Sequence, residues 1–427
     1  MNAFTKILKF NNGKLFVNTY NFNYLLFQII IIFIYFDGIR SNLIGGNILT
    51  LIREGSIFYL VIYTLHKKYR VKNIFSVSII CFISYHIIIS LISILFQKNV
   101  EPSFVIKPLY IFGGIYIFYH FKQLTKHSYH DIIYFMIKTS IVFVILNTIL
   151  YFIYIPIWTR FQPWFGRISC GYPTMDVITL GYTLILLLFY PNIPISTYKR
   201  SIFTIIVIMG LLLQFSGTGL VVLLLISFTS FTFYLFHPSN KLYKSTLISF
   251  AFFFFFSISL FSYIKFYFPN ELEKGMILVN NKINILTGNI SANEANTMEI
   301  REEQFNSIRK KQDNNFKVLF GLGLGNLTNG AHKDNDSYMI EDQYGINLVC
   351  YGVIGYSLFL AILISKSINI IRFRKTPLHF KLLFLLSIMI FAANCKTLIP
   401  LVLFSNYMFF AFFYVISIPQ KTNENSY

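Results

Sequence analysis

The sequence predicts an all-α polytopic membrane protein with about twelve transmembrane helices in a single membrane domain, 1–427. Of its 427 residues, 55% are hydrophobic and only 12% are charged, whereas soluble domains carry roughly 25% charged residues. Apolar runs of the roughly twenty residues needed to cross a bilayer recur along the chain. Lys and Arg lie in short clusters between these runs, which is the distribution that membrane topology produces. The formal charge of +19 therefore indicates topology and not nucleic-acid binding.

The apolar runs define the predicted spans in chain order. One long run, Ser201–Phe236, exceeds a single helix and breaks at the turn signal SGTG, Ser216–Gly219. The predicted spans are 22–38, 43–65, 74–96, 104–121, 132–155, 177–190, 201–216, 218–236, 246–264, 345–365, 380–396 and 398–418.

Loop charges predict the orientation of these spans. The connections on the side of the N-terminus hold most of the Lys and Arg residues, which predicts that both termini are cytoplasmic. The long connection 265–345, between spans 9 and 10, then faces outward. It holds eleven of the seventeen Asp and Glu residues against nine Lys and Arg. We expect a small polar extracytoplasmic loop there, with a membrane-surface or solvated helix at 298–312.

Two outward-facing segments carry basic and glycine-rich motifs. GRISCGYPTMDVITLGY contains Arg167, Gly171 and Pro173, and it follows Arg160. REEQFNSIRKKQDNNFKVLFGLGLGN contains Arg301 and Phe305, followed by three alternating glycines, Gly321, Gly323 and Gly325. A third segment, EDQYGINLVCYGVIGY, leads into the tenth span and contains Glu341, Asp342, Tyr344, Gly352 and Gly355.

In their residues and their order, these segments resemble motifs of the O-antigen polymerase and O-antigen ligase superfamily of bacterial envelope glycan assembly. Two departures favour a polymerase over a ligase: Gly217 stands where an arginine is common in the family, and Glu341-Asp342 stands where ligases usually carry His-Asn. The resemblance implies a fold of the membrane glycosyltransferase C type. It also implies a multi-pass enzyme that polymerises lipid-linked oligosaccharide repeat units of O-antigen, capsule or exopolysaccharide.

The implied partners are an undecaprenyl-diphosphate-linked oligosaccharide, the lipid bilayer, a chain-length regulator and a flippase. A polyprenyl diphosphate is already a good leaving group, so transfer requires that its charge be held and that a sugar hydroxyl be activated. Arg167 and Arg301 are the candidates for the first task, because guanidinium groups bind phosphate oxygens bidentately and stay charged. The alternative for either arginine is a contact with lipid head groups. Arg160 is an additional candidate for substrate binding.

The general base is predicted at the start of the tenth span. Partial desolvation of Glu341 or Asp342 at the membrane boundary would raise a carboxyl pKa and improve a base for a sugar hydroxyl. The alternative is that these acids only favour the first turn of a helix. His332 could be the base instead, or it could be a solvated residue of the polar loop.

The glycines of VLFGLGLGN, Val318–Asn326, permit two interpretations. Without side chains, Gly321, Gly323 and Gly325 would let backbone amides approach the lipid diphosphate, or they would form a plain flexible turn. Gly352 and Gly355 are predicted to serve close helix packing. No metal or other cofactor is expected, because DNDSY, 334–338, has no second cluster of ligands.

Two other functions stay open. A ligase would pass finished glycan to lipid A core or to a protein, using the same donor chemistry. A transporter or flippase of lipid-linked sugars would use twelve spans without glycosyl transfer, but such proteins are expected to have internally related halves, and the sequence contains no such repeat. Arg53 and Glu54, which lie within the second span, are left outside the predicted site.

Overall fold

The computed structural model describes residues 8–11, 14–36, 46–67, 74–96, 100, 102–153, 173–190, 193–214, 217–236, 312–324, 343–372 and 378–397, with isolated positions between 262 and 310. Near the N-terminus, strand β1 (Leu8–Asn11) pairs antiparallel with β2 (Lys14–Val17). This hairpin was not predicted. The residues between its strands are Asn12 and Gly13, a pair favoured in two-residue hairpin loops.

The rest of the described chain is mainly helical. The helices in chain order are α1 (Thr19–Tyr35), α2 (Gly46–His66), α3 (Ile74–Phe96), α4 (Pro102–Tyr119), α5 (Phe121–Thr125), α6 (Tyr129–Ile153), α7 (Pro173–Phe189), α8 (Thr197–Leu213), α9 (Gly217–Phe236), α10 (Asn315–Phe320), α11 (Gln343–Arg372) and α12 (Leu378–Thr397).

Ten of these helices coincide with predicted spans, and the two additional ones, α5 and α10, are short. The predicted spans 246–264 and 398–418 lie outside the described residues, apart from position 262. Three described helices are long and apolar enough to cross a membrane: Ile48–His66, Val77–Phe96 and Tyr129–Leu150. Five further apolar helical stretches in the described part are shorter. The described fold is therefore mainly helical and membrane-like.

Local sequence signals explain where several helices begin. Pro102 and Pro173 stand at the first positions of α4 and α7, where proline sacrifices no intrahelical hydrogen bond. Before α6, the Ser128 hydroxyl accepts from the Asp131 N–H and the Asp131 carboxylate accepts from the Ser128 N–H, which is a reciprocal capping box. The predicted break in this run is confirmed, but it lies before most of SGTG, since α8 ends at Leu213 and α9 begins at Gly217.

Helix α7 lies at the centre of the bundle. It packs against α1, α6, α8, α9 and α12, and every residue from 179 to 190 is buried. A helix that is apolar on all sides is expected to be surrounded by protein or lipid. Here protein surrounds it, so α7 is the core around which its neighbours are arranged.

Arg200, on α8, closes the C-terminal end of α7. Its side chain is buried, its Nε donates to the Leu187 carbonyl, and its Nη2 donates to the Tyr190 carbonyl at 2.8 Å. Carbonyls at a helix end lack intrahelical donors and carry partial negative charge. Arg200 therefore caps the C-terminal end of α7.

The two charged residues within α2 contact each other. Arg53 Nη2 lies 3.8 Å from Glu54 Oε1, and both side chains are largely buried. Their contact reduces the cost of placing two charges inside an apolar helix.

Candidate functional site: a helix broken by glycine

Helices α3 and α11 run antiparallel and form an extensive interhelical contact. Their antiparallel order follows from two pairs of neighbours: Tyr351 contacts His86, and Phe359 contacts Phe82. A set of buried or half-buried polar side chains lies along this contact, namely Tyr85, His86, Ser90, Ser93 and Tyr351. Polar groups in an apolar helix need hydrogen-bond partners inside the protein. The partners of these side chains are described below.

Helix α11 is interrupted at Gly352. This residue has φ 63° and ψ −168° inside an otherwise helical segment, a backbone region open essentially only to glycine. Two helical halves therefore meet there, Gln343–Tyr351 and the part from 353 to Arg372. The conformation also changes the hydrogen bonding that neighbouring carbonyls would have in a continuous helix.

The glycine loop after α10 lies directly on this break. We call Gly321–Leu324 the glycine strap. Gly321 and Gly323 have φ of 84° and 80°, and a Cβ added to Gly321 would lie only 2.5 Å from the Cys350 carbonyl carbon and 2.6 Å from the Gly352 nitrogen. A Cβ on Gly352 would in turn lie 2.5 Å from the Leu319 carbonyl carbon. The two glycine backbones pass each other without room for a side chain on either one.

Every N–H group of the glycine strap is hydrogen-bonded within the protein. Gly321 donates to the Lys317 carbonyl at 2.8 Å, Leu322 to Val349 at 2.8 Å, and Gly323 to Cys350 at 3.1 Å. Leu324 donates to the Ser93 hydroxyl at 2.9 Å. These four amides are therefore occupied and are not presented to an anion.

Two side chains complete the contacts at the break. The Tyr85 hydroxyl lies 2.8 Å from the Tyr351 carbonyl and 3.2 Å from the Phe320 carbonyl. Gln312 Nε2 donates to the Leu348 carbonyl at 3.3 Å. Four consecutive carbonyls, those of 348 to 351, thus accept hydrogen bonds from outside α11. The protein therefore supplies hydrogen-bond donors to the backbone carbonyls at the break, as buried backbone groups require.

His86 ties three helices together. Its Nε2 lies 3.0 Å from the Val105 carbonyl on α4, and a carbonyl only accepts, so Nε2 carries the proton. In the neutral ring Nδ1 then accepts from the Tyr351 hydroxyl on α11, at 2.8 Å. Tyr351 and His86 are each satisfied by this pairing, which aligns α3, α4 and α11 in a fixed register.

Close to the strap, Lys317 of α10 forms an ion pair with Asp313, which lies two residues before the helix. Lys317 Nζ lies 2.7 Å from Asp313 Oδ1, and both side chains are exposed. The hydrogen bond from Lys317 holds the pKa of the Asp313 carboxyl below its ordinary value. The same helix exposes Phe316, Val318 and Leu319.

Most residues of the site predicted from sequence lie outside the described residues: Arg160, Arg167, Arg301, Gly325, His332, Glu341 and Asp342. Gly321 and Gly323 are described, and both contact α11: Gly321 has no room there for a side chain, and Gly323, with a positive φ, donates to the Cys350 carbonyl. The prediction that Gly352 and Gly355 serve close packing is confirmed, since a Cβ on Gly355 would lie 2.8 Å from the Tyr85 ring. Within the described part of the chain, no three His, Cys, Asp or Glu side chains are grouped to hold a metal ion.

Sequence reasoning missed Tyr85, His86, Ser93 and Gln312. The signal that could have found His86 is its polarity within the long apolar run Val77–Phe96, because such residues usually face a partner inside the protein. No family model matches this sequence, and neither a curated protein nor a solved structure matches it.

Proposed function

We propose that the chain is a membrane glycosyltransferase that polymerises oligosaccharide repeat units carried on polyprenyl diphosphate, at the outer face of a bacterial plasma membrane. The observation that carries the proposal is the ordered set of motifs around Arg167, Arg301 and Glu341-Asp342. The largely helical, membrane-like fold supports it. A twelve-span fold of the glycosyltransferase C type, with cytoplasmic termini, belongs to the same proposal.

In the proposed reaction, a sugar hydroxyl of the incoming lipid-linked unit attacks the anomeric carbon of the growing glycan. Glu341 or Asp342 accepts the hydroxyl proton as the new glycosidic bond forms. The bond between the anomeric carbon and the diphosphate oxygen breaks, and its electron pair leaves with the polyprenyl diphosphate. Arg167 and Arg301 stabilise the charge on that leaving group.

The glycine strap takes no part in diphosphate binding in this proposal, because its amides are bonded to α11 and Ser93. Arg160, Gly325 and His332 stay predicted members of the polar site. The strap instead supports the start of the helix that Glu341 and Asp342 precede in the sequence.

The test replaces Arg167 and Arg301 separately by alanine and examines the surface glycan of the host cells by gel electrophoresis. We expect the protein to reach the membrane and long-chain glycan to be lost, with a single repeat retained on the acceptor. Lys310→Ala is the matched control, since Lys310 is exposed in the same connection. Normal chains in both arginine variants contradict the site; long chains that accumulate on the lipid carrier indicate a ligase instead.

One observation favours a transporter as the second candidate. Discontinuous helices build the substrate sites of many transporters, where unwound backbone binds ions or substrate. In this protein the carbonyls at the break already accept protein hydrogen bonds, which argues against a transport site at the break. Accumulation of single lipid-linked units on the cytoplasmic leaflet, measured in a deletion strain, would favour the transporter.

A further inference from the structure

We propose that the segment Asn314–Leu324, which is α10 followed by the glycine strap, is embedded in the lipid leaflet in which α3 ends, with its apolar side chains against acyl chains. The partner is the hydrocarbon of the bilayer. The inference concerns a membrane contact of this segment, and it stands or falls independently of the glycosyl-transfer reaction.

The first argument is depth along α3. The apolar character of α3 continues to its last residues, where Leu95 and Phe96 are 75% and 80% exposed, so the hydrocarbon reaches this end. Ser93, which binds Leu324, lies three residues before the end of α3, and Tyr85, which binds the Phe320 carbonyl, lies eleven before it. At 1.5 Å per residue these positions are about 4 and 16 Å below the end of α3. The chain from Phe320 to Leu324 therefore lies alongside a membrane-spanning helix, with Phe320 at the deeper end.

The second argument is that the backbone N–H groups of the strap are all hydrogen-bonded within the protein. Irregular backbone at membrane depth is tolerated only where the protein satisfies its polar groups. The four N–H groups of Gly321–Leu324 are all bonded to Lys317, Val349, Cys350 and Ser93. A loop in water has no such need, because water would supply the partners.

The third argument is the side-chain distribution of α10. Its apolar residues Phe316, Val318 and Leu319 are exposed, and none of its residues is buried. Helix α3, whose Tyr85 and Ser93 bond to this segment, also exposes apolar side chains, at Leu91, Ile92 and Leu95. The Lys317–Asp313 ion pair marks the opposite, polar side, and Lys can extend to the head groups while its stem stays apolar.

The experiment measures the depth of single spin labels in the full chain, reconstituted into vesicles of phosphatidylethanolamine and phosphatidylglycerol. The four native cysteines are replaced by serine, and labels are placed by Phe316→Cys and Leu319→Cys. Ile92→Cys is the lipid-exposed control on α3, and Asp313→Cys is the aqueous control. Collision rates with oxygen and with a water-soluble nickel chelate report whether each label lies in lipid or in water.

We expect the oxygen-to-nickel ratio at 316 and 319 to equal that at 92 and to exceed that at 313 several-fold. Ratios at 316 and 319 equal to that at 313 would overturn the proposal. A second measurement uses the buried thiol of Cys350, whose backbone carbonyl accepts a hydrogen bond from the strap, in a chain that keeps only this cysteine. Gly321→Val should accelerate its alkylation by N-ethylmaleimide several-fold, and Gly55→Val, where a Cβ meets nothing within 4 Å, should not; equal rates would show that the strap does not seal the break.

Discussion

Helices α7 and α11 are held in the protein by different means. From 179 to 190, α7 is buried on every side, and side chains make its contacts, including hydrogen bonds from Tyr35 and Arg200. The break in α11 is held by backbone against backbone, between Gly321 and Gly352. Apolar packing can adjust when a side chain changes, because neighbouring rotamers shift. Two crossing backbones cannot adjust in this way, so even a methyl group should strongly destabilise the protein there.

The most destructive change should therefore be a single methyl group at the break. Gly352→Ala places a Cβ against Leu319 and Gly321 and forces alanine into a region that only glycine adopts. Backbone strain and overpacking together should lower the free energy of unfolding by about 4 kcal/mol. SDS titration of the purified protein measures this loss.

Gly55→Ala is the control for this change, because a helical Gly55 has open space where the methyl group would go. It should leave stability unchanged or raise it slightly, since alanine is the better helix former. Equal stabilities of the two variants would mean that the crossing at Gly352 is not tight.

The next largest effect should come from the cap of α7. Arg200→Met keeps much of the apolar stem and removes two charged hydrogen bonds to the Leu187 and Tyr190 carbonyls. A hydrogen bond from a charged group contributes roughly 1.5–3 kcal/mol. Two such bonds are lost while the cost of burying the charge is also removed, so we expect a loss of about 3 kcal/mol. The neighbouring Lys199 is exposed, and Lys199→Met, which removes the same charge, should have no comparable effect. If both variants lose the same stability, charge and not capping is the cause.

The smallest of the three effects should follow the loss of one hydroxyl at the break. Tyr85→Phe leaves the ring in place and removes the donor to the Tyr351 carbonyl, which should cost about 1 kcal/mol. The same titration measures it, with Tyr198→Phe as the control because Tyr198 is 76% exposed. A loss as large as that of Gly352→Ala would show that the hydroxyl, and not the glycine crossing, maintains the break.

The same two helices differ in how far they could be predicted from the sequence. The extent of α7 follows from local signals, since Pro173 starts it and an apolar run fills it. The turn between α8 and α9 was likewise readable from SGTG. In both places, the information lies within a few neighbouring residues.

The break in α11 was only half predictable. The glycine pattern indicated close backbone approach, but it could not say whether the approaching partner was a phosphate or another helix. The partner is set by the pairing of α3 with α11, and Tyr85 and Tyr351 are 266 residues apart in the chain. The predicted arginines and acids lie outside the described residues, so their convergence stays a prediction.

That separation has a consequence for biosynthesis. At roughly 5–20 residues per second, the ribosome takes on the order of 13 to 53 seconds to reach Tyr351 after it has made Tyr85, which is 266 residues earlier. During that interval the Tyr85 hydroxyl has to form its hydrogen bond with water or with the insertion machinery, because its acceptor has not been synthesised. The α3–α11 junction is therefore among the last parts of the protein to form, and a nascent chain stalled before residue 351 would present an unfinished α3 to the translocon.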